Sequence, residues 1–236
     1  MRERKNFFGP VEKALYDYQL IENGDKILIG ASGGKDSTAL IEFFSQLKKR
    51  PSLQFEYKAL HIKSDFAPPF PEKIKAVFEK WDVPFEVREI NTLERVKDGF
   101  KMNCWWCSTQ RRRELLLYAV ENGYNKIALG HHLDDVLETF LMNMTNKGEL
   151  STMIPKLKLE KYPVEIIRPL YYLPENELIE HAKNSEYAGF TCTCNYQNNS
   201  TRKEAKSLKN IITAGNDNTK ELMLKALKNV NHDYLP

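Results

Sequence analysis

Apolar residues recur along the chain with two different periods. Short, nearly continuous runs occupy residues 26–31 (KILIGA), 57–62 (YKALHI), 84–90 (PFEVREI), 126–130 (KIALG) and 164–170 (VEIIRPL). Runs of this length bounded by turn-forming or charged residues read as buried β-strands. Between them the spacing becomes helical: Leu40, Ile41, Phe44 and Leu47 share one face, as do Ile74, Val77, Phe78 and Trp81, and then Leu115, Leu116 and Ala119. Residues three and four apart meet on one side because a helix turns every 3.6 residues. The alternation predicts an α/β fold, an open doubly wound sheet of five parallel strands with helices on both faces.

The clearest helix follows residues 126–130, with Asp135 as the expected N-cap, Glu138 in the third helical position and Gly148 as the stop. The Pro-rich stretch 64–72 (SDFAPPFPE) reads as a loop beyond the carboxyl end of the second strand, where such sheets place ligands. After Asn195 one or two helices are expected, broken at TAGNDNT from Thr213. This divides the chain into a main domain, 1–190, and a small cysteine-containing helical extension, 191–236.

The length of 236 residues suits one sizeable core with an appendage. With 42% hydrophobic and 28% charged residues, the composition is that of a soluble globular protein, and no apolar run nears the roughly 18 residues a membrane helix needs. The start, MRERKNFFGP, lacks the apolar segment of a secretory signal, so the cytoplasm is the default expectation. A net charge of +3 does not itself require a nucleic acid, but basic residues cluster at 111–113, 156–161 and 202–209. Arg112, Arg113, Lys156, Lys158, Arg202 and Lys203 are the candidate RNA contacts, against the ordinary alternative of a solvated basic face.

Chemistry concentrates at three places. Residues 30–40, GASGGKDSTAL, follow a strand and open a helix. Gly33 and Gly34 let backbone amides approach an anion at the positive helix end, Lys35 adds charge, and Ser32 and Ser37 add hydroxyl donors. The spacing differs from the GxxxxGK[ST] loop that handles terminal phosphates.

Four cysteines form two close pairs, Cys104/Cys107 and Cys192/Cys194. A CxxC suits half a zinc site, a redox dithiol or part of an iron-sulfur site, or simple core packing. Ser108 is the expected cap of the following helix, which places Cys107 at a positive helix end beside three arginines and favours its thiolate. Because CxC is too tight for the usual zinc knuckle, zinc ranks second to a three-thiolate iron-sulfur site with an open position. The third place is residues 130–144, GHHLDDVLETFLMNM, where Asp134 and Asp135 are candidate Mg2+ or ribose ligands, or helix caps.

The SGGKDS hexapeptide resembles the signature of the PP-loop ATP pyrophosphatases. With FPEK, CWWCSTQRRR, NKIALGHHLDDVLETFLMNM, PKL and IIRPL, it makes residues 18–197 similar to the tRNA 2-thiocytidine synthetase (TtcA-type) branch of that family. The resemblance implies a Rossmann-like PP-loop/HUP fold and cleavage of ATP between the α and β phosphates. It implies ATP contacts at Ala31, Ser32, Gly33, Gly34, Lys35, Asp36, Ser37, His61, Ile62, Gly130, His131 and Asp135, with Lys35, Asp36, Arg111 and Asp134 in catalytic roles. A [4Fe-4S] cluster is implied on Cys104, Cys107 and either Cys192 or Cys194, the register at CTCNYQ leaving the third ligand open. Mg2+, a tRNA pyrimidine as acceptor, sulfide or a cysteine desulfurase as sulfur donor, and a homodimer complete what the resemblance implies. Two other readings stay open: sulfur or nitrogen transfer to a small molecule or another RNA position, and a non-catalytic zinc-stabilised nucleotide- or RNA-binding protein.

Overall fold

The structure, a computed structural model, describes residues 6–65, 67–95, 104–185, 187 and 200–234. After α1 (Gly9–Tyr18) come β1 (Lys26–Gly30), α2 (Lys35–Leu47), β2 (Glu56–Ser64), α3 (Glu72–Lys80) and β3 (Phe85–Ile90). Then follow α4 (Cys104–Glu121), β4 (Lys126–Ala128), α5 (Leu133–Lys147), β5 (Lys156–Lys158), β6 (Glu165–Ile167), α6 (Glu175–Lys183), α7 (Ser200–Thr213) and α8 (Asp217–Ala226). The sheet runs β3-β2-β1-β4-β6-β5. The five strands predicted by the apolar runs are all present and parallel. A sixth, β5, pairs antiparallel with β6, Lys156 opposite Ile167 and Lys158 opposite Glu165. Its three residues, Lys-Leu-Lys, are too few to announce a strand; the pairing with β6 defines it.

In the central strand β1, Ile27, Leu28 and Ile29 are all fully buried, so both faces of the sheet are covered. Ile27 and Ile29 join a core with Leu40, Ile41 and Phe44 of α2, Ile74, Val77 and Phe78 of α3, and Val136 and Leu137 of α5. Leu28 points the other way, meeting Leu115, Tyr118 and Ala119 of α4 together with Leu60 and Ile127. Full burial of each such side chain is worth about 1.5–3 kcal/mol. This packing fixes the level of the sheet's carboxyl edge.

Two helix starts differ from expectation. α5 is capped by His132, whose Nδ1 accepts from the Asp135 amide at 3.4 Å while the Asp135 carboxylate accepts from the His132 amide at 3.1 Å. Asp135 is thus the third residue of the helix and not its cap, because a histidine ring nitrogen accepts this bond as a carboxylate does. Gly148, at φ +67°, ends the helix as expected. α4 begins at Cys104, so Ser108 lies within the helix and both cysteines of the CxxC sit on its first turn.

The helices α7 and α8 are joined to α5 by buried charges. Asp134, 2% exposed, is paired with Lys209 of α7 at 2.8 Å and Lys220 of α8 at 3.1 Å, and accepts from the amide of Glu175 at 2.7 Å. Lys209 also donates to Glu138 at 2.9 Å. Leu224 of α8 joins the main core.

Candidate functional site

β1 has β2 on one side and β4 on the other, and the chain leaves these neighbours in opposite directions along the sheet. The crevice at the carboxyl ends of β1 and β4 is therefore a topological switch point, the usual ligand position in open α/β sheets. The glycine loop occupies it. Gly33 adopts φ +80°, and a Cβ there would stand 3.2 Å from Pro71 of the Pro-rich loop. Gly34 is the N-cap of α2 with no side-chain cap of its own. Its amide donates to Ser32 Oγ at 3.2 Å, Ser32 and Ser37 share a hydroxyl contact at 2.9 Å, and Ser37 Oγ donates to Gly34 O at 3.1 Å. These bonds hold the turn open at the N-terminus of a 13-residue helix, whose first amides lack intrahelical acceptors.

Lys35 Nζ lies 2.9 Å from Asp36 Oδ1 and 3.5 Å from Glu175 Oε1. Burial works against the ammonium, but Asp36 and then Glu175 outweigh it and raise the Lys35 pKa above the ordinary lysine value. Gly130, just past β4, lies directly under this turn. A Cβ on it would approach the Asp36 carbonyl carbon and the Ser37 amide, both at 3.1 Å, and backbone atoms cannot swing aside as a side chain can. Gly130→Ala is therefore expected to cost about 1–3 kcal/mol by overpacking and to weaken ATP binding, checked by thermal melting and calorimetric titration.

Beside the loop opens a cavity of about 400 Å³ whose walls include Ser32, His61, Arg111, Arg112, His131 and Arg202. Its volume falls in the range of small-ligand pockets. His61 is buried and its Nδ1 contacts Ala31 O at 2.6 Å; since a carbonyl only accepts, Nδ1 carries the proton. Burial lowers the His61 pKa, and Arg111 and Lys63 lower it further. His131 is pushed down to about 4, first by burial, with Arg168 and Arg202 adding to the shift against Asp135. Both rings are neutral at pH 7, which leaves the positive charge of the walls to the arginines.

The structure thus gathers most of the residues singled out in the sequence. Ala31, Ser32, His61, Ile62, Arg111 and His131 line the cavity. Asp135 instead accepts from the His132 amide in the capping box of α5 and pairs with Arg202. Asp134 is engaged by Lys209, Lys220 and the Glu175 amide, so its carboxylate serves α7 and α8, and it is not among the residues lining the cavity. Cys104 and Cys107 precede Ser108 and Arg111, which line the cavity, by one helical turn, and Cys107 is half-buried. Cys192 and Cys194 lie outside the described residues, and among the described residues no group of three His, Cys, Asp or Glu is placed to hold a metal.

Of the candidate RNA contacts, Arg112, Arg113, Lys158 and Lys203 are exposed. Lys156 turns to the opposite edge of the sheet, donating to Gln19 O at 2.9 Å and lying 3.6 Å from both Glu22 and Glu165. Glu175, which touches Lys35, was not singled out from the sequence; its one local signal is a helix start after Pro174, 140 residues from the loop it serves.

Fold and cavity define a nucleotide-binding α/β protein of the doubly wound class, with the phosphate cradle at the switch point. The chain belongs to the PP-loop domain family, which matches residues 6–210, and its relatives lie among the tRNA-cytidine(32) 2-sulfurtransferases. The tRNA-cytidine(32) 2-sulfurtransferase of Shewanella baltica (strain OS155) is 40% identical over 212 residues, covering 88% of this chain and 68% of the relative. That of Paraburkholderia phytofirmans is 38% identical over 237 residues, covering 98% of this chain and 70% of the relative. In fold, the U34-tRNA thiolase NcsA from Methanococcus maripaludis, solved with its [4Fe-4S] cluster, superposes with a TM-score of 0.77 at 22% identity, covering 98% of this chain and 80% of that one.

Proposed function

We propose that the protein is an ATP-dependent tRNA sulfurtransferase that exchanges the position-2 oxygen of a tRNA cytidine for sulfur, forming AMP and pyrophosphate. The observation that carries this reading is the shared cavity: Ser32 of the phosphate loop, and Ser108 and Arg111 one turn beyond the CxxC, line one space. This supports a reading in which the phosphate loop and the CxxC, one helical turn before Ser108 and Arg111, serve the same acceptor.

The chain's own residues account for the first half of the reaction. The amides of Gly33 and Lys35 and the Lys35 ammonium take up the charge of pyrophosphate as the bond between the α-phosphorus and its bridging oxygen breaks. The cytidine oxygen forms the new bond to that phosphorus, and a Mg2+ travelling with ATP shares the charge. Arg111 faces the same space as a second cation. Two thiols three apart on the first turn of α4 suit a soft iron-sulfur centre, with Cys192 or Cys194 as third ligand. Held by those cysteines, such a cluster would supply the sulfur nucleophile for the activated carbon, from which AMP leaves. Because the target base must leave its stack to reach the cavity, a loop cytidine is the fitting acceptor.

Mass spectrometry of tRNA nucleosides from cells carrying the wild-type gene, no gene, or Cys107→Ser tests this. The expected result is 2-thiocytidine only with the wild type, while purified Cys107→Ser still releases pyrophosphate from ATP. An unchanged thionucleoside profile in the deletion would redirect the chemistry to a different acceptor.

A further inference from the structure

Arg202 belongs to α7, the helix that follows the second cysteine pair, yet it lines the cavity with Ser32 and Arg111. Its placement is fixed from behind. Nη2 pairs with Asp135 Oδ1, and Nε lies 3.4 Å from Glu138 Oε2, both carboxylates belonging to α5. Asp135 is itself held by the capping box with His132, and Glu138 by Lys209. A guanidinium has five donors, and among the described residues Nη1 has no partner. Of the described residues that line the cavity none is Asp or Glu, whereas Arg111, Arg112 and Arg202 all do. The space is therefore built for a small polyanion.

We propose that Arg202 is a ligand of the ATP phosphates, contributed by the extension and aimed by Asp135 and Glu138. This inference rests on the ATP-dependent reading above and reassigns a residue first grouped with the RNA contacts. Three observations separate the two roles. A cavity of about 400 Å³ takes a mononucleotide and not an RNA strand. Arg202 shares a wall with the phosphate loop. Its neighbour Lys203 is exposed, as a contact to an RNA backbone needs to be. A planar guanidinium locked by two carboxylates is also the kind of pre-oriented donor that phosphate oxygens use best.

The test compares wild type with Arg202→Gln, Arg202→Lys and Lys203→Gln in the full chain, measuring dissociation constants for ATP, adenosine and tRNA at one salt concentration. Losing one charge-assisted contact is expected to raise the ATP Kd of Arg202→Gln about tenfold. Adenosine, which has no phosphates, keeps its affinity and so reports an intact fold; Arg202→Lys recovers part of the ATP affinity; tRNA affinity falls in Lys203→Gln and stays within about twofold of wild type in Arg202→Gln. An Arg202→Gln protein that binds ATP like wild type, or that loses tRNA affinity alone, overturns the proposal. A wild-type protein that binds no ATP overturns the proposed function as well.

Discussion

Replacing Lys35 by alanine is expected to lower ATP-dependent pyrophosphate release by about 100- to 1000-fold, the usual loss when one fixed donor to a developing negative charge is removed. The melting temperature should move little. Lys35 is about one-fifth exposed, its partners Asp36 and Glu175 are similarly open, and ion pairs with this access to water contribute little to stability, about 0–1 kcal/mol. Glu175 matters to the interpretation, because with Asp36 it is one of two carboxylates that hold the ammonium. Since Asp36 and Glu175 hold the Lys35 pKa above the ordinary lysine value, the wild-type rate should show no loss from this group until the pH exceeds that value. A pyrophosphate-release assay across pH measures both effects. A Lys35→Ala enzyme within twofold of wild type would remove the loop from the chemistry.

The second large effect falls on stability. Asp134→Ala leaves Lys209 and Lys220, both largely buried, without their shared carboxylate; since Lys209 keeps Glu138 at 2.9 Å and Lys220 keeps Asp217 at 3.0 Å, the expected cost is about 3 kcal/mol, the low end for breaking a buried pair. Burial alone would raise the Asp134 pKa, but Lys209, the Glu175 amide and Lys220 together bring it down to about 2. The sign follows from linkage: the folded value lies below the unfolded value of 3.8, so the contribution is complete above pH 4 and disappears as pH falls through 2. Urea unfolding should show wild type and variant separated at pH 7 and converging in acid. A difference below 1 kcal/mol at pH 7 would return Asp134 to the nucleotide site, where the family resemblance first put it.

The elements that carry the cradle were legible because each repeats a strong local pattern. Ile27 to Ile29, buried on both faces, and the 3.6-residue spacing of Leu40, Ile41, Phe44 and Leu47 each state their geometry within a few residues. α1 and α6 lack such a stripe. Val11 and Ala14, or Leu178 and Ala182, are few apolar positions, and these helices form because residues 169–172 and α2, respectively, give them a surface to cover. The glycine loop and the CxxC were visible as motifs, whereas the contacts that complete the site join residues far apart in sequence. Lys35 with Glu175 and Arg202 with Asp135 become neighbours only after the sheet closes, and no local rule links them.

The two rims of the sheet also bear on how the protein behaves at high concentration. An unpaired strand rim invites another chain to extend the sheet. Here one rim ends in β5, three residues long with Lys158 facing solvent. On the other rim β3 carries Arg88, paired with Glu121 at 3.0 Å, and Glu89, paired with Lys63 at 2.6 Å. A brief strand at one margin and a charged one at the other offer little purchase for intermolecular β-pairing, so neither rim is suited to extending the sheet into a second chain.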